Sequence, residues 1–138
     1  MNRKDLQTLA NFRLRESRAL YKANEFSGDY YLAGYAVECG LKACIARRVR
    51  RHDFPERQQR NKDPYIHDLV QLAALAGLKD SIRLRADSDV VFQKDWDVTI
   101  LWNEQSRYRI FEQQESERPI DAIIETRHGV MTWVKQHW

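Results

Sequence analysis

Arg60 and His67 stand near the end of the longest polar stretch of the chain, and their side chains have complementary chemistry. Six residues separate them, and Asn61 directly follows the arginine. A neutral imidazole accepts a proton, and a guanidinium holds a phosphate through two parallel donors. Cleavage of RNA by its own 2′-hydroxyl needs both groups and no metal. The residue types of Arg60 and His67 therefore suit this chemistry.

His67 also has a structural interpretation, in which it packs or forms a hydrogen bond at the start of a helix. The chain contains sixteen arginines and four histidines, so one or two Arg–His pairs at such short spacings are expected by chance. A second pair, Arg47 and His52, is present. Catalysis, a structural role and noncatalytic ligand binding through His67 all stay open at this point.

Positive charge is concentrated around these residues, although the formal net charge of the chain is only +3. Between residues 47 and 62, seven basic side chains stand against Asp53 and Glu56. Such a cluster attracts phosphates and raises their local concentration. It is also typical of a solvated helix end, because cations are favoured at helix C-termini. Arg47 and Arg51 are the candidate binding residues in this segment.

An unusually apolar helix, predicted over roughly Gly28 to Arg51, leads into the basic segment. Its many small residues allow neighbouring backbones to approach closely, so we expect it at the centre of the fold. Between residues 30 and 45, Glu38 and Lys42 are the only charged side chains. Their i,i+4 order favours an ion pair. On a surface this pair would matter little, but partly buried it is a candidate binding site.

The rest of the sequence also favours helices. Five Gly and three Pro in 138 residues give too few turn signals for a sandwich or barrel. Periodicity and caps predict helices over Leu6–Asn24, Tyr65–Ala76 (with Asp63 and Pro64 before it and Gly77 after it) and Lys79–Trp102, a loop over Asn103–Ser116, and a last helix with Pro119 in its first turn. We therefore expect one all-α domain over residues 1–138, an up-and-down bundle of four to five helices.

Several other functions are not predicted. Cys39 and Cys44 lie about 140° apart around one helix, so they neither form a disulfide nor share a metal. His128 and His137 lack partners at metal-ligand spacing, so we expect no metal and no cofactor. No apolar run or leader indicates a membrane, and the cytoplasm is the expected location. Sequence-specific DNA recognition is not expected, because Gly77 is explained by a helix C-cap.

Three segments together match the residue pattern of one known family. Residues 30–43 read YYLAGYAVECGLKA, His67-Asp68-Leu69 follows, and Trp102 precedes Arg107-Tyr108. They resemble the second helix, the His-Asp-Leu element and the Trp and Arg-Tyr residues of HEPN domains (higher eukaryotes and prokaryotes nucleotide-binding). The resemblance adds Arg107 and Tyr108 to the candidate binding residues.

The resemblance implies an up-and-down bundle that forms a homodimer, with functional residues near a cleft between protomers. It also implies an RNA or nucleotide ligand and a toxin–antitoxin or defence context beside a nucleotidyltransferase partner. Catalytic members are metal-independent RNases that carry Arg, four to six residues, and then His before the last helix, often with Asn directly after the Arg. Arg60, Asn61 and His67 fit this spacing, and the resemblance therefore makes them candidate catalytic residues. In the region before the last helix, however, this chain has Arg107-Tyr108-Arg109 and no His. We therefore expect a noncatalytic binding protein, with an RNase that uses Arg60 and His67 as the alternative.

Overall fold

The computed structural model describes residues 1–51 and 66–138, and in these ranges every regular element is a helix. The α-helices are α1 (Arg3–Lys22), α2 (Phe26–Arg51), α3 (Leu69–Leu75), α4 (Lys79–Ser88), α5 (Val90–Thr99), α6 (Gln113–Ile124) and α7 (Val130–Lys135), and a 3-10 helix covers Glu104–Tyr108. The predicted all-α class is confirmed. The predicted count of four to five helices is too low for the described ranges. No helix there has the length and apolar character needed to cross a membrane.

Helix α2 lies at the centre of the fold, as its small residues predict. It contacts α1, α3, α6, α7 and the 3-10 helix. A Cβ atom added at Gly34 would lie 2.2 Å from Cδ1 of Trp102, and one added at Gly40 would lie 2.9 Å from Cγ1 of Val134. The two glycines therefore allow side chains from different elements to rest directly on the α2 backbone.

Helices α1 and α2 form a helical hairpin that is joined by a short turn. Helix α1 begins with a capping box between Asn2 and Asp5, which places its start three residues before the predicted Leu6. The turn contains Asn24, whose φ of 62° lies in the left-handed region that Asn tolerates. Inside the hairpin, the Ser17 hydroxyl donates to the buried carboxylate of Asp29. Burial raises the pKa of Asp29 to about 6, against the opposing effect of the Ser17 hydrogen bond.

Helix α3 is bounded by two identifiable caps. The Asp68 side chain accepts the Gln71 backbone N–H at 3.0 Å, so the helix begins after Asp68 and not at the predicted Tyr65. At its other end Gly77 has a φ of 72°, and the Leu78 N–H donates to the Ala73 carbonyl. This Schellman motif confirms the predicted role of Gly77. The predicted cap residues Asp63 and Pro64 lie outside the described residues.

The single helix predicted over Lys79–Trp102 is wrong, because Asp89 interrupts it. Its backbone is extended, with φ −143°, and its carboxylate accepts the Phe92 N–H at 3.0 Å, which starts α5. The same carboxylate lies 2.7 Å from Nδ1 of His128. A hydrogen bond to His128 lowers the pKa of Asp89. The ionised side chain therefore serves as a helix cap and as a tertiary contact.

The last predicted helix is also divided, and it begins earlier than expected. Helix α6 starts at Gln113 with a capping box between Glu112 and Glu115, so Pro119 lies inside it and not in its first turn. The predicted loop over Asn103–Ser116 contains the 3-10 helix and the start of α6. A new helix, α7, follows Gly129, where an added Cβ would lie 2.1 Å from the Glu125 carbonyl oxygen.

Substitution of Gly34 by Ala tests the close approach of Trp102 to α2. We expect a loss of about 2 kcal/mol in the free energy of unfolding, because overpacking outweighs the roughly 1 kcal/mol gain in helix propensity. Gly28→Ala is the control, since its Cβ would meet only the flexible end of Leu20, at 3.0 Å. Urea unfolding followed by circular dichroism measures both variants. Equal stability of the two would contradict the packing described here.

Candidate functional site

Three of the candidate residues meet in one polar cluster at the middle of α2. Nδ1 of His67 lies 3.1 Å from each carboxylate oxygen of Glu38. Nζ of Lys42, one helical turn further along α2, lies 2.8 Å from Oε1 of the same carboxylate. The structure thus brings the candidate catalytic His67 together with the candidate binding residues Glu38 and Lys42.

The cluster depends on the burial of Glu38, whose exposure is only 2%. A buried carboxylate is stable only when it is paired and hydrogen-bonded. Lys42 supplies the positive charge, and His67 supplies a ring N–H. His67 comes directly before Asp68, the N-cap of α3, so the start of that helix sets the position of the imidazole.

The contact with Glu38 also orients the imidazole of His67. When the ring is neutral and Nδ1–H donates to the carboxylate, Nε2 carries the free lone pair. A histidine held in this way accepts a proton or a hydrogen bond from a bound ligand, as acid–base histidines oriented by a carboxylate do. His67 is half-buried, with 37% of its side chain exposed, so a ligand can reach it.

His67 lines a cleft of about 410 Å³, which we call the His67 cleft. Its other described lining residues are Ile66, Asp68, Gln71, Ile100, Trp102, Asn103 and Glu104. The volume lies in the range of small-molecule sites, and apolar walls with a few polar groups are typical of them. The lining comes from the start of α3 and from the end of α5 together with the start of the 3-10 helix.

Trp102 forms part of the wall of the His67 cleft and anchors it to α2. Its ring stacks on Tyr31 with centroids 6.0 Å apart, and Tyr31 stacks on Tyr35 at 6.1 Å. Its indole Nε1 is buried and has no hydrogen-bond partner among residues 1–51 and 66–138. The aromatic row fixes one side of the cleft, so the tyrosines contribute to packing.

The other candidate binding residues lie outside the described lining of the cleft. Arg107 and Tyr108 are exposed on the 3-10 helix, with the guanidinium 4.9 Å from the ring centroid, and Tyr108 raises the pKa of Arg107. Arg47 donates from Nη1 to the His137 carbonyl at 3.2 Å, a contact between α2 and the end of the chain. Arg60, Asn61 and the side chain of Arg51 lie outside the described part. Their predicted roles stay predictions.

Sequence reasoning did not select several residues of the His67 cleft. Gln71, Asn103 and Glu104 are ordinary polar residues, and nothing in their spacing marks them as a site. The Asp68 cap offered a partial signal, because it fixes where the first turn of α3 and therefore Gln71 must lie. Asn103 caps the 3-10 helix by accepting the Gln105 N–H at 2.9 Å, which a sequence pattern does not reveal.

Two further kinds of site, a metal site and a reactive cysteine, are absent from the described residues. Across residues 1–51 and 66–138, no three His, Cys, Asp or Glu side chains are grouped so that they could hold a metal ion. Cys39 and Cys44 are both buried and free, as expected of core residues. Burial raises the pKa of Cys39 to about 11 and that of Cys44 to about 12. Both are therefore thiols at neutral pH and poor nucleophiles.

A comparison of the chain with protein-family models, curated proteins and solved structures finds no match.

Glu38→Gln tests whether the cluster holds this part of the fold together. The change keeps the side-chain size but leaves Lys42 without its charge partner, so we expect the free energy of unfolding to fall by about 3 kcal/mol. Glu16→Gln is the matched control, because Glu16 forms an exposed pair with Arg13. Glu16→Gln should lower the free energy of unfolding by less than about 1 kcal/mol. Similar losses in urea unfolding would show that the Glu38 cluster contributes no more than a surface pair.

Proposed function

We propose that the chain is a HEPN-like domain that binds a nucleotide or RNA-type ligand in the His67 cleft without cleaving it. The 3.1 Å contact between Glu38 and His67 carries this proposal. It joins two of the three segments that resemble the family. The third segment joins them through Trp102, which rests against Gly34 of α2. Of the residues that resemble the family, His67, Asp68 and Trp102 line the cleft, and the 30–43 segment contacts two of them through Glu38 and Gly34.

The chemistry of the His67 cleft suits the base and sugar of a nucleotide. Bases have flat apolar faces and edges that both donate and accept hydrogen bonds. Ile100 and Trp102 offer apolar wall, while the amides of Gln71 and Asn103 offer donors and acceptors. Nε2 of His67 adds an acceptor for a ligand hydroxyl. The basic residues between 47 and 62 add positive charge to the chain, and positive charge attracts phosphates.

The described lining of the cleft favours binding over cleavage. It contains the carboxylates of Asp68 and Glu104 and, within the part of the chain that the structure describes, no Lys or Arg. Phosphodiester cleavage needs a cation beside the phosphate to hold the charge that develops there. Among the described lining residues, His67 therefore supports recognition of a ligand better than cleavage of one.

We also propose a homodimer that acts with a nucleotidyltransferase partner in a cytoplasmic toxin–antitoxin or defence system. Three exposed apolar side chains within or close in sequence to the 3-10 helix support a protein interface there: Leu101, Tyr108 and Ile110, which are 73%, 72% and 86% exposed. Light scattering should give about twice the chain mass of 16.5 kDa. Ile110→Asp should shift the mass toward the monomer, whereas Leu84→Asp, at an exposed position on α4, should not. A monomeric wild-type protein at micromolar concentration would contradict the dimer.

Ligand binding at the cleft is tested with His67→Ala and a closely matched control. His128 has the same side-chain exposure, 37%, and also contacts a carboxylate, that of Asp89. We expect His67→Ala to weaken the binding of mononucleotides or short RNA by about tenfold, because the hydrogen bond between the ligand and Nε2 is lost. His128→Ala should leave that affinity nearly unchanged. Calorimetric titration measures both, and equal losses would show that His67 has no special role.

A metal-independent RNase is the second candidate function. The observation that favours it is the orientation of His67 by Glu38, which leaves Nε2 free to accept a proton from a 2′-hydroxyl. Arg60 and Asn61, which would complete the motif, lie outside the described residues. Structured and single-stranded RNA incubated in EDTA with wild type, Arg60→Ala and His67→Ala separates the two functions. Cleavage that both substitutions abolish would establish the RNase and overturn noncatalytic binding.

A further inference from the structure

A second cleft, between α1 and α7, shares no lining residue with the His67 cleft. Its volume is about 390 Å³, and its described lining residues are Thr8, Asn11, Phe12, Leu14, Arg15, Arg18 and Lys135. Three of these side chains are cations and none is acidic. We call this the α1–α7 cleft.

The lining residues converge because of helical spacing and a fixed helix end. Thr8, Asn11, Arg15 and Arg18 follow one another at intervals of three, four and three residues, so they occupy one face of α1. Lys135 comes from the last residue of α7. That end is tied to α1 by Arg3, whose Nη2 donates to the Trp138 carbonyl at 2.5 Å. This hydrogen bond helps to fix the end of α7 relative to α1, and the cleft lies between these two helices.

The three cations of this cleft form no ion pair within the described residues, and Arg18 also lines a neighbouring pocket that contains Asp29, Glu117 and Asp121. None of Arg15, Arg18 and Lys135 lies within 4.0 Å of a carboxylate oxygen there, whereas Arg13, on the same helix, is paired with Glu16. The Arg15 guanidinium lies 4.3 Å from the ring centroid of Phe12. Partial burial lowers the pKa of Lys135, and the positive charge of Arg18 lowers it further. Like charges that share a cleft repel one another, and a bound anion would offset that repulsion.

We propose that the α1–α7 cleft binds the phosphate groups of a polyphosphate or of an RNA backbone. Each guanidinium can form two parallel hydrogen bonds to phosphate oxygens, and the ammonium of Lys135 adds a point charge. The Thr8 hydroxyl and the Asn11 amide supply neutral donors beside them. The volume lies in the range of small-molecule sites, which favours linked phosphates over a single small anion.

The test compares Arg15→Gln and Lys135→Gln with Lys94→Gln. All three remove one positive charge from an exposed position, but Lys94 lies on α5 and does not line the cleft. Calorimetry at low salt without divalent metal uses two probes, inorganic tripolyphosphate and a short single-stranded RNA. We expect each cleft substitution to weaken binding of at least one probe by about tenfold, since a charge-assisted hydrogen bond is lost. Lys94→Gln should leave both affinities nearly unchanged.

The two probes identify the source of the phosphate. Loss of tripolyphosphate affinity indicates a free polyphosphate site, and loss confined to RNA indicates a backbone site; either result supports the proposal. The proposal would be overturned if the wild-type protein bound neither probe. It would also be overturned if Lys94→Gln weakened binding as much as the cleft substitutions do. His67→Ala is measured in parallel, and binding that depends on His67 but not on Arg15 or Lys135 would place the phosphate at the other cleft. Heat unfolding checks that each variant is folded, and if one is not, the other variant decides.

Discussion

The burial of the Glu38 carboxylate is the constraint on which the site depends. An isolated charge at the centre of a packed helix costs several kcal/mol, so its neighbours must neutralise it. Lys42 does so from the next turn of α2, and His67, just before α3, adds a hydrogen bond to the carboxylate. Because Asp68, the next residue, caps α3, the same contact connects the central helix to the first turn of that helix. The polar cluster therefore also connects α2 to α3.

The sequence predicted the central helix well, because its many small residues and its apolar faces are local properties. It failed at Asp89, where one predicted helix is two. That break depends on a cap to Phe92 and on His128, which is 39 residues away in the chain. Helix propensity depends on residues that are close in the sequence, so it does not predict such a long-range contact. Pro119 misled the prediction for a related reason, because the capping box at Glu112 starts α6 earlier than a proline rule suggests.

The candidate site was predicted in pieces. The i,i+4 spacing of Glu38 and Lys42 indicated their ion pair, and the motif around His67 made this histidine a candidate while a structural role stayed open. Their meeting is a contact across 29 residues, and it depends on where α3 begins relative to α2. The amides of the cleft were missed because Gln and Asn carry no distinctive spacing. Periodicity identifies which residues share a helix face, whereas a site between elements depends on how the faces pack.

Under the two proposals, the two clefts would divide the chemistry of a nucleotide between them. The described lining of the His67 cleft holds carboxylates, amides and apolar wall, whereas that of the α1–α7 cleft holds three cations and no carboxylate. A phosphate would be repelled by Asp68 and Glu104 but attracted by Arg15, Arg18 and Lys135. The two described linings have no residue in common. A polynucleotide presents bases and phosphates along its whole length, and it is the ligand class whose chemistry suits both surfaces.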